Sequence, residues 1–157
     1  RSPVAIEFAV AGISSGSLFG SAVRASKDNS VFHAIVTHES GGKQVENMNL
    51  ALIGGVNAAL ARSWTGSSWI SDLFWNEQAN PGVRYADTNA NGYGLLSVNA
   101  GRVEANLVTV ASPLVDHGAA GAPVLRKARF TLRAWTPGQD PELTGPVFTG
   151  TPAFPFG

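Results

Sequence analysis

Asp87-Thr88-Asn89-Ala90-Asn91-Gly92 sets oxygen-bearing side chains at alternate positions with glycine sixth, as in the first half of a calcium loop. A hard cation takes such oxygens, and the glycine permits the sharp turn between them. The twelfth position of such a loop supplies a bidentate carboxylate. Here it is Val98, and the flanks read as strands rather than helices. A β-turn rich in Asp, Asn and Gly accounts for the same letters. His33 and His38, with Glu39 beside the second, are the other metal-type group. Residues five apart point to opposite faces of a strand and align poorly on a helix, so two unrelated histidines are expected. His117 stands alone in a loop pattern.

Gly12-Ile13-Ser14-Ser15-Gly16 fits the nucleophile-elbow pattern Gly-x-Ser-x-Gly with Ser14 at its centre. That elbow needs strand, sharp turn and helix in succession, and no helical pattern follows Gly16. A glycine-serine turn closing a strand is the plainer expectation. No Gly-x-x-x-x-Gly-Lys-Ser phosphate loop occurs. The absence of cysteine excludes a thiol nucleophile, a disulfide framework and a zinc ribbon. Trp64, Trp69, Phe74 and Trp75 crowd into twelve residues. Such large side chains serve helix packing and interfaces more often than lipid or ligand docking, and an interface is expected.

The elements that must position these groups follow from periodicity. Val4 to Val10 is β-branched and mostly apolar, a largely buried strand ended by Gly12. Val31 to Val36 reads as another strand, broken at Ser40-Gly41-Gly42-Lys43. From Asn47 the period turns helical, with Met48, Leu52, Val56, Ala59 and Leu60 in phase despite Gly54-Gly55. A second helix is expected from the cap Ser67-Ser68, with Trp69, Ile70, Leu73 and Phe74 on one face, ending at Asn80-Pro81-Gly82. Val83 to Ala86, Gly92 to Val98 and Val103 to Ala111 predict an antiparallel meander. Gly118 to Gly121 reads as a flexible connector. Val124 to Trp135 alternates: Val124, Ala128, Phe130, Leu132 and Ala134 face one way, Arg129, Thr131 and Arg133 the other. Residues 137–157 hold five of the nine prolines and predict an extended proline-rich tail. The class is α+β, mostly antiparallel strands with two helices.

Eleven Lys+Arg balance eleven Asp+Glu, which gives no electrostatic footing for nucleic acid or an anionic membrane. Charged residues make up 14% of the chain against roughly a quarter in an ordinary domain, while apolar residues are near normal at 44%. The shortage falls on the surface, which predicts either a neutral exterior or one covered by another polypeptide. No apolar run approaches the roughly 18 residues of a membrane span. The chain opens at Arg1 and its one methionine is Met48, so a processed polypeptide is expected.

Three stretches resemble the C-terminal part of the alkaline phosphatase D family, the PhoD-like metallophosphoesterases. Val4-Ala5-Ile6-Glu7-Phe8 followed by Gly12-Ile13-Ser14-Ser15 is similar to the family's Val-Glu-Phe strand and serine turn. Asn80-Pro81-Gly82-Val83-Arg84-Tyr85-Ala86-Asp87 running into Gly92-Tyr93-Gly94 resembles its Asn-Pro, short strand and Gly-Tyr strand opening. Pro123 to Phe130, ending in Trp135-Thr136-Pro137-Gly138-Gln139-Asp140-Pro141-Glu142-Leu143, resembles the Trp-x-Pro-Gly-x-x-Pro-x-Leu finish of one branch. These cover roughly half the chain, in the family's order. Residues 18–44 form a longer connection than is usual there.

The resemblance implies a two-sheet α/β/β/α sandwich, of which residues 1–136 would be the C-terminal portion. It implies a secreted or periplasmic phosphatase or phosphodiesterase, a hydrolase using iron with calcium to activate water against a phosphate ester. The family's last metal motif, Gly-Asp-x-His-x-x-Trp, lies shortly upstream of the Val-Glu-Phe strand. The ligands would therefore sit on a larger N-terminal chain of the same precursor, with no metal and no catalytic residue on this one. Ser14 and Ser15, after the strand nearest those ligands, would be a pocket edge or would only close the turn. Two rivals follow from the residues alone: a non-catalytic β-rich binding or assembly module using Trp64 to Trp75, and a small serine hydrolase centred on Ser14.

Overall fold

The computed structural model describes residues 5–136 and 138–157. It is α+β, with five α-helices and two antiparallel sheets, and divides into two compact units. One unit comprises the described residues of 1–15 together with 90–152; the other comprises 16–89 and 153–157.

The first unit is a four-stranded sheet. Its strands β3 (Asn91–Asn99), β4 (Arg102–Val110), β5 (Val124–Arg133) and β6 (Leu143–Gly150) pair in sequence order, while β1 (Thr37–Ser40) and β2 (Lys43–Glu46) belong to the helical unit. Alternation sorts their side chains. Ala105, Ala128, Phe130 and Leu132 are buried on one face, where Ala105 stands opposite Phe130 and Leu107 opposite Ala128. Arg102, Glu104, Asn106, Arg129, Thr131 and Arg133 occupy the other. The alternation expected of residues 124–135 holds from Ala128 to Arg133. It fails at Val124 because the register shifts beside Val110, which pairs with Val124 while Thr109 pairs with Arg126. The extra residue, Leu125, turns Val124 to the opposite face.

Two expectations for this unit change. The proposed strand over 4–10 carries no ladder: residues 5–10 are irregular, and Val4 lies outside the described residues. They contribute through side chains instead, Phe8 stacking on Phe130 at 5.7 Å between ring centroids. Val10 lies against Gly94, where an added Cβ would come within 2.8 Å of its Cγ2. Pro137 lies outside the described residues. Within the expected tail, Leu143–Gly150 is a strand with ladder partners rather than an unpatterned stretch. Its proline is tolerated because β6 is an edge strand and Pro146 falls at a register irregularity.

The helical unit contains α1 (Leu18–Ala25), α2 (Ser30–Val36), the hairpin β1 (Thr37–Ser40) and β2 (Lys43–Glu46), α3 (Met48–Gly54), α4 (Val56–Thr65) and α5 (Ser68–Leu73). Residues 31–36 are helix, not strand. The side chain of Asn29 accepts from Phe32 N and starts the turn, and local capping overrides the β-branched composition. The helical pattern from Asn47 is two helices, because Gly55 adopts φ +95° and interrupts it. Ser67 caps α5 as expected, accepting from Ile70 N at 3.3 Å, but that helix ends at Leu73, well before Pro81. Residues 83–86 form no strand. Leu50, Ala58 and Ala59 form the buried centre, with Ala51 and Phe154 packed against them.

Gly55 has φ +95° and ψ 162°, a region essentially reserved to glycine. Gly55→Ala is expected to lower unfolding stability by about 2 kcal/mol. Gly66→Ala, left-handed but in open space, should cost about 1 kcal/mol. Urea denaturation of both variants measures the difference.

Candidate functional site

Short helices expose many unpaired backbone groups for their length. The helical unit meets this with buried polar side chains. Asn47 is fully buried, and its Nδ2 donates to Ala34 O in α2 at 3.1 Å and to Ala59 O in α4 at 2.8 Å. Committed there, it gives α3 no side-chain cap. Glu46 supplies the acceptor instead: its Oε1 takes the N–H of Asn49 at 2.5 Å and the hydroxyl of Thr88 at 3.1 Å. The Asn49 side chain is used at both ends. Its Oδ1 accepts from Thr88 N at 2.8 Å, and its Nδ2 donates to Phe154 O at 2.9 Å.

Glu46 is only 9% exposed. Burial pushes its carboxyl up to about 7, assisted by the charge of Asp87 and opposed by the bonds from Asn49 and Thr88 that favour the anion. It can hold or release a proton near neutrality, but its accepting oxygen is already committed to two donors. The group therefore works as a buried knot linking β2, α3, the 85–89 segment and the C-terminal segment. His38 in β1 is 4% exposed, and its ring lies 5.7 Å from that of Phe154. Burial, then the charge of Arg62, holds it below the usual histidine range, so its imidazole is neutral at pH 7. Its Nδ1 has no hydrogen-bond partner among the described residues. The guanidinium of Arg62 lies over the Phe154 ring at 5.5 Å.

His33 and His38 are held apart by function as well as by spacing. His33 Nδ1 lies 2.9 Å from Ser26 Oγ, and its Nε2 lies 3.0 Å from Gln44 Nε2. Ser26 is fully buried and its hydroxyl donates to Val23 O. The imidazole thus donates from Nδ1 to Ser26 and accepts from Gln44, the reverse of a base taking a serine proton. Glu39 is exposed opposite Gln44, and His117 Nε2 contacts Ser112 O. Among the described residues no group of three His, Asp or Glu could hold a metal ion.

In the 87–92 stretch, Tyr85 OH donates to Asp87 at 3.3 Å, and Asn89 Oδ1 accepts from Ser17 Oγ at 3.0 Å. Asn91 turns its amide N–H groups to Gly12 O and Ser15 O. Asn89 and Asn91 thus tie the 88–89 turn and its flank to segments distant along the chain. Ser14 and Ser15 are exposed in that pinned turn. A helix, α1, does begin shortly after Gly16, contrary to expectation, with Ser17 as its cap. The irregular backbone before the turn still lacks the strand of a nucleophile elbow. Trp64 and Trp69 are each 69% exposed, whereas Trp75 packs against Gly54 of α3, so only part of the aromatic cluster is helix packing.

Glu46, Asn47 and Asn49 were not among the residues that sequence patterns single out. The one available signal is an acid directly before the helical period that begins at Asn47. No family model, curated protein or solved structure matches the chain.

Because the folded pKa of Glu46 lies above its ordinary 4.5, its contribution to stability is complete below that value and is lost as pH rises through about 7. The loss amounts to about 3 kcal/mol. His38 acts oppositely: its depressed pKa removes stability as pH falls below about 6.5. Glu46→Gln should abolish the decline between pH 5 and pH 8.5 while leaving the acid limb, as read from urea midpoints.

Proposed function

We propose that the chain is the C-terminal portion of a secreted or periplasmic PhoD-like metal-dependent phosphatase or phosphodiesterase, contributing scaffold rather than metal ligands. The observation that carries this reading is the ordered set of three family-like stretches, from Ile6-Glu7-Phe8 to Trp135 and Leu143. Gly92-Tyr93 falls at the start of β3, where the resemblance expects a strand to open. Asn80-Pro81 follows a helix, although the short strand after it is absent. In this reading iron and calcium reside on a larger N-terminal polypeptide from the same precursor, which also binds the phosphate ester. Ser14 and Ser15 lie at the pocket's edge.

Exposed apolar surface supports a polypeptide partner. On the apolar face of the sheet, Leu96 and Val98 are 64% and 70% exposed, and no strand among the described residues pairs with the free edge of β3. Trp64, Trp69 and Leu73 add a second apolar surface on the helical unit. The same tryptophans favour the alternative, a non-catalytic binding or assembly module. Among the described residues no helix is long and apolar enough to cross a membrane.

The chain alone, with added iron and calcium, should hydrolyse neither aryl phosphate monoesters nor diesters. Combination with a polypeptide bearing the Gly-Asp-x-His-x-x-Trp motif of the same precursor should restore turnover. Hydrolysis by the isolated chain defeats the scaffold role. A partner that binds this chain without any hydrolysis in the complex favours the assembly module.

A further inference from the structure

We propose that the polar face of the β3–β6 sheet, near the β3–β4 turn, binds a phosphate-type oxyanion between Arg102 and Arg133. The hydrolase reading assigns no role to this face, and the two stand or fall separately. Arg102 and Arg133 are directly opposed in the β4–β5 ladder. Like charges in that position repel, and a sheet ordinarily relieves them with a carboxylate. The nearby carboxylates do not do so. Glu104 stands opposite Thr131 and accepts from Asn106 Nδ2 at 3.3 Å. Glu142 precedes the last register pair, Leu132 with Leu143, and among the described residues it forms no ion pair with either guanidinium. On the ladder positions of this face Arg102, Lys127, Arg129 and Arg133 are set against Glu104 alone, in a chain of zero formal charge.

The surroundings suit an oxyanion. An open concavity of about 580 Å³ is lined by Asn99, Gly101, Arg102, Thr131, Arg133 and Thr144. Its backbone is fixed before any ligand arrives. Asn99 Oδ1 accepts from Gly101 N at 2.9 Å and from Arg102 N at 3.0 Å, while Ala134 N donates to Gly101 O at 2.9 Å. Thr144 Oγ1 donates to the Thr131 carbonyl, and among the described residues the Thr131 hydroxyl, on a residue that lines the concavity, forms no hydrogen bond. Two guanidinium forks and a hydroxyl exceed what one carboxylate can accept. A phosphate, with more acceptor oxygens and a second charge, satisfies both forks.

Titration of the full ¹⁵N-labelled chain with inorganic phosphate, at ionic strength held constant with sodium chloride, tests the site. Saturable shifts of the Arg102 and Arg133 Nε–H signals and of the Gly101 amide are expected. Arg102→Gln and Arg133→Gln should each weaken binding about tenfold or more, and Arg102→Lys, which keeps the charge but loses the fork, should weaken it several-fold. Lys127→Gln should change it less than twofold. An unchanged amide spectrum away from the site shows that each variant is folded. Phenyl phosphate binding as tightly as the inorganic ion indicates a group presented on a larger molecule; preference for the inorganic ion indicates free phosphate. Either supports the site. Acetate binding equal to phosphate, a linear response without saturation, or indifference to both glutamine variants overturns it.

Discussion

Burial of an uncharged amide, Asn47, is the constraint on which the helical unit rests. One side chain spans α2 and α4 by donating to a carbonyl of each, and the helix it begins is left to find its cap elsewhere. Glu46 fills that place because it is the neighbouring acceptor, and Thr88 and Asn49 then close around it. Each substitution in this chain of dependence would strand a buried donor or acceptor, which costs more than the bond itself contributed. Beside the small cluster of Leu50, Ala58 and Ala59, these buried hydrogen bonds help define the helical unit, although Asn47 Oδ1 itself finds no partner among the described residues.

The sheet unit is held differently. Its contacts come from alternation, so small residues on the buried face, Ala105 and Ala128, leave room for Phe130 and for Phe8 from the leading segment. This explains why a stretch that reads as a strand does not need to be one. Residues 5–10 meet the sheet only through Phe8 and Val10, and most of them stay exposed rather than forming the largely buried strand their composition suggests.

β5 was legible because its period-2 alternation matches a strand with one buried face, whereas β3 and β4 were legible as short runs bounded by turn residues, without alternating burial. Residues 31–36 were not, since a run of Val, Phe and Ile is ambiguous when short; the deciding signal, the Asn29 cap, precedes the run. β6 was hidden by Pro146 and the prolines that flank the strand, which mark an edge as readily as a loop. The Ser14 and Ser15 turn was visible as a turn, and its pinning by Asn91 was not, because that bond crosses a long sequence separation. Glu46 escaped notice for a related reason: its altered acidity arises from neighbours distant along the chain.

The two margins of the sheet are unlike. β3 runs nine residues with an unbroken register to β4, whereas β6 carries Pro146 and a shifted register beside it. A foreign strand can zip along β3 but finds no continuous template beyond β6. Lateral pairing of two copies through β3 would leave only the interrupted β6 margins facing outward, a poor template for further addition.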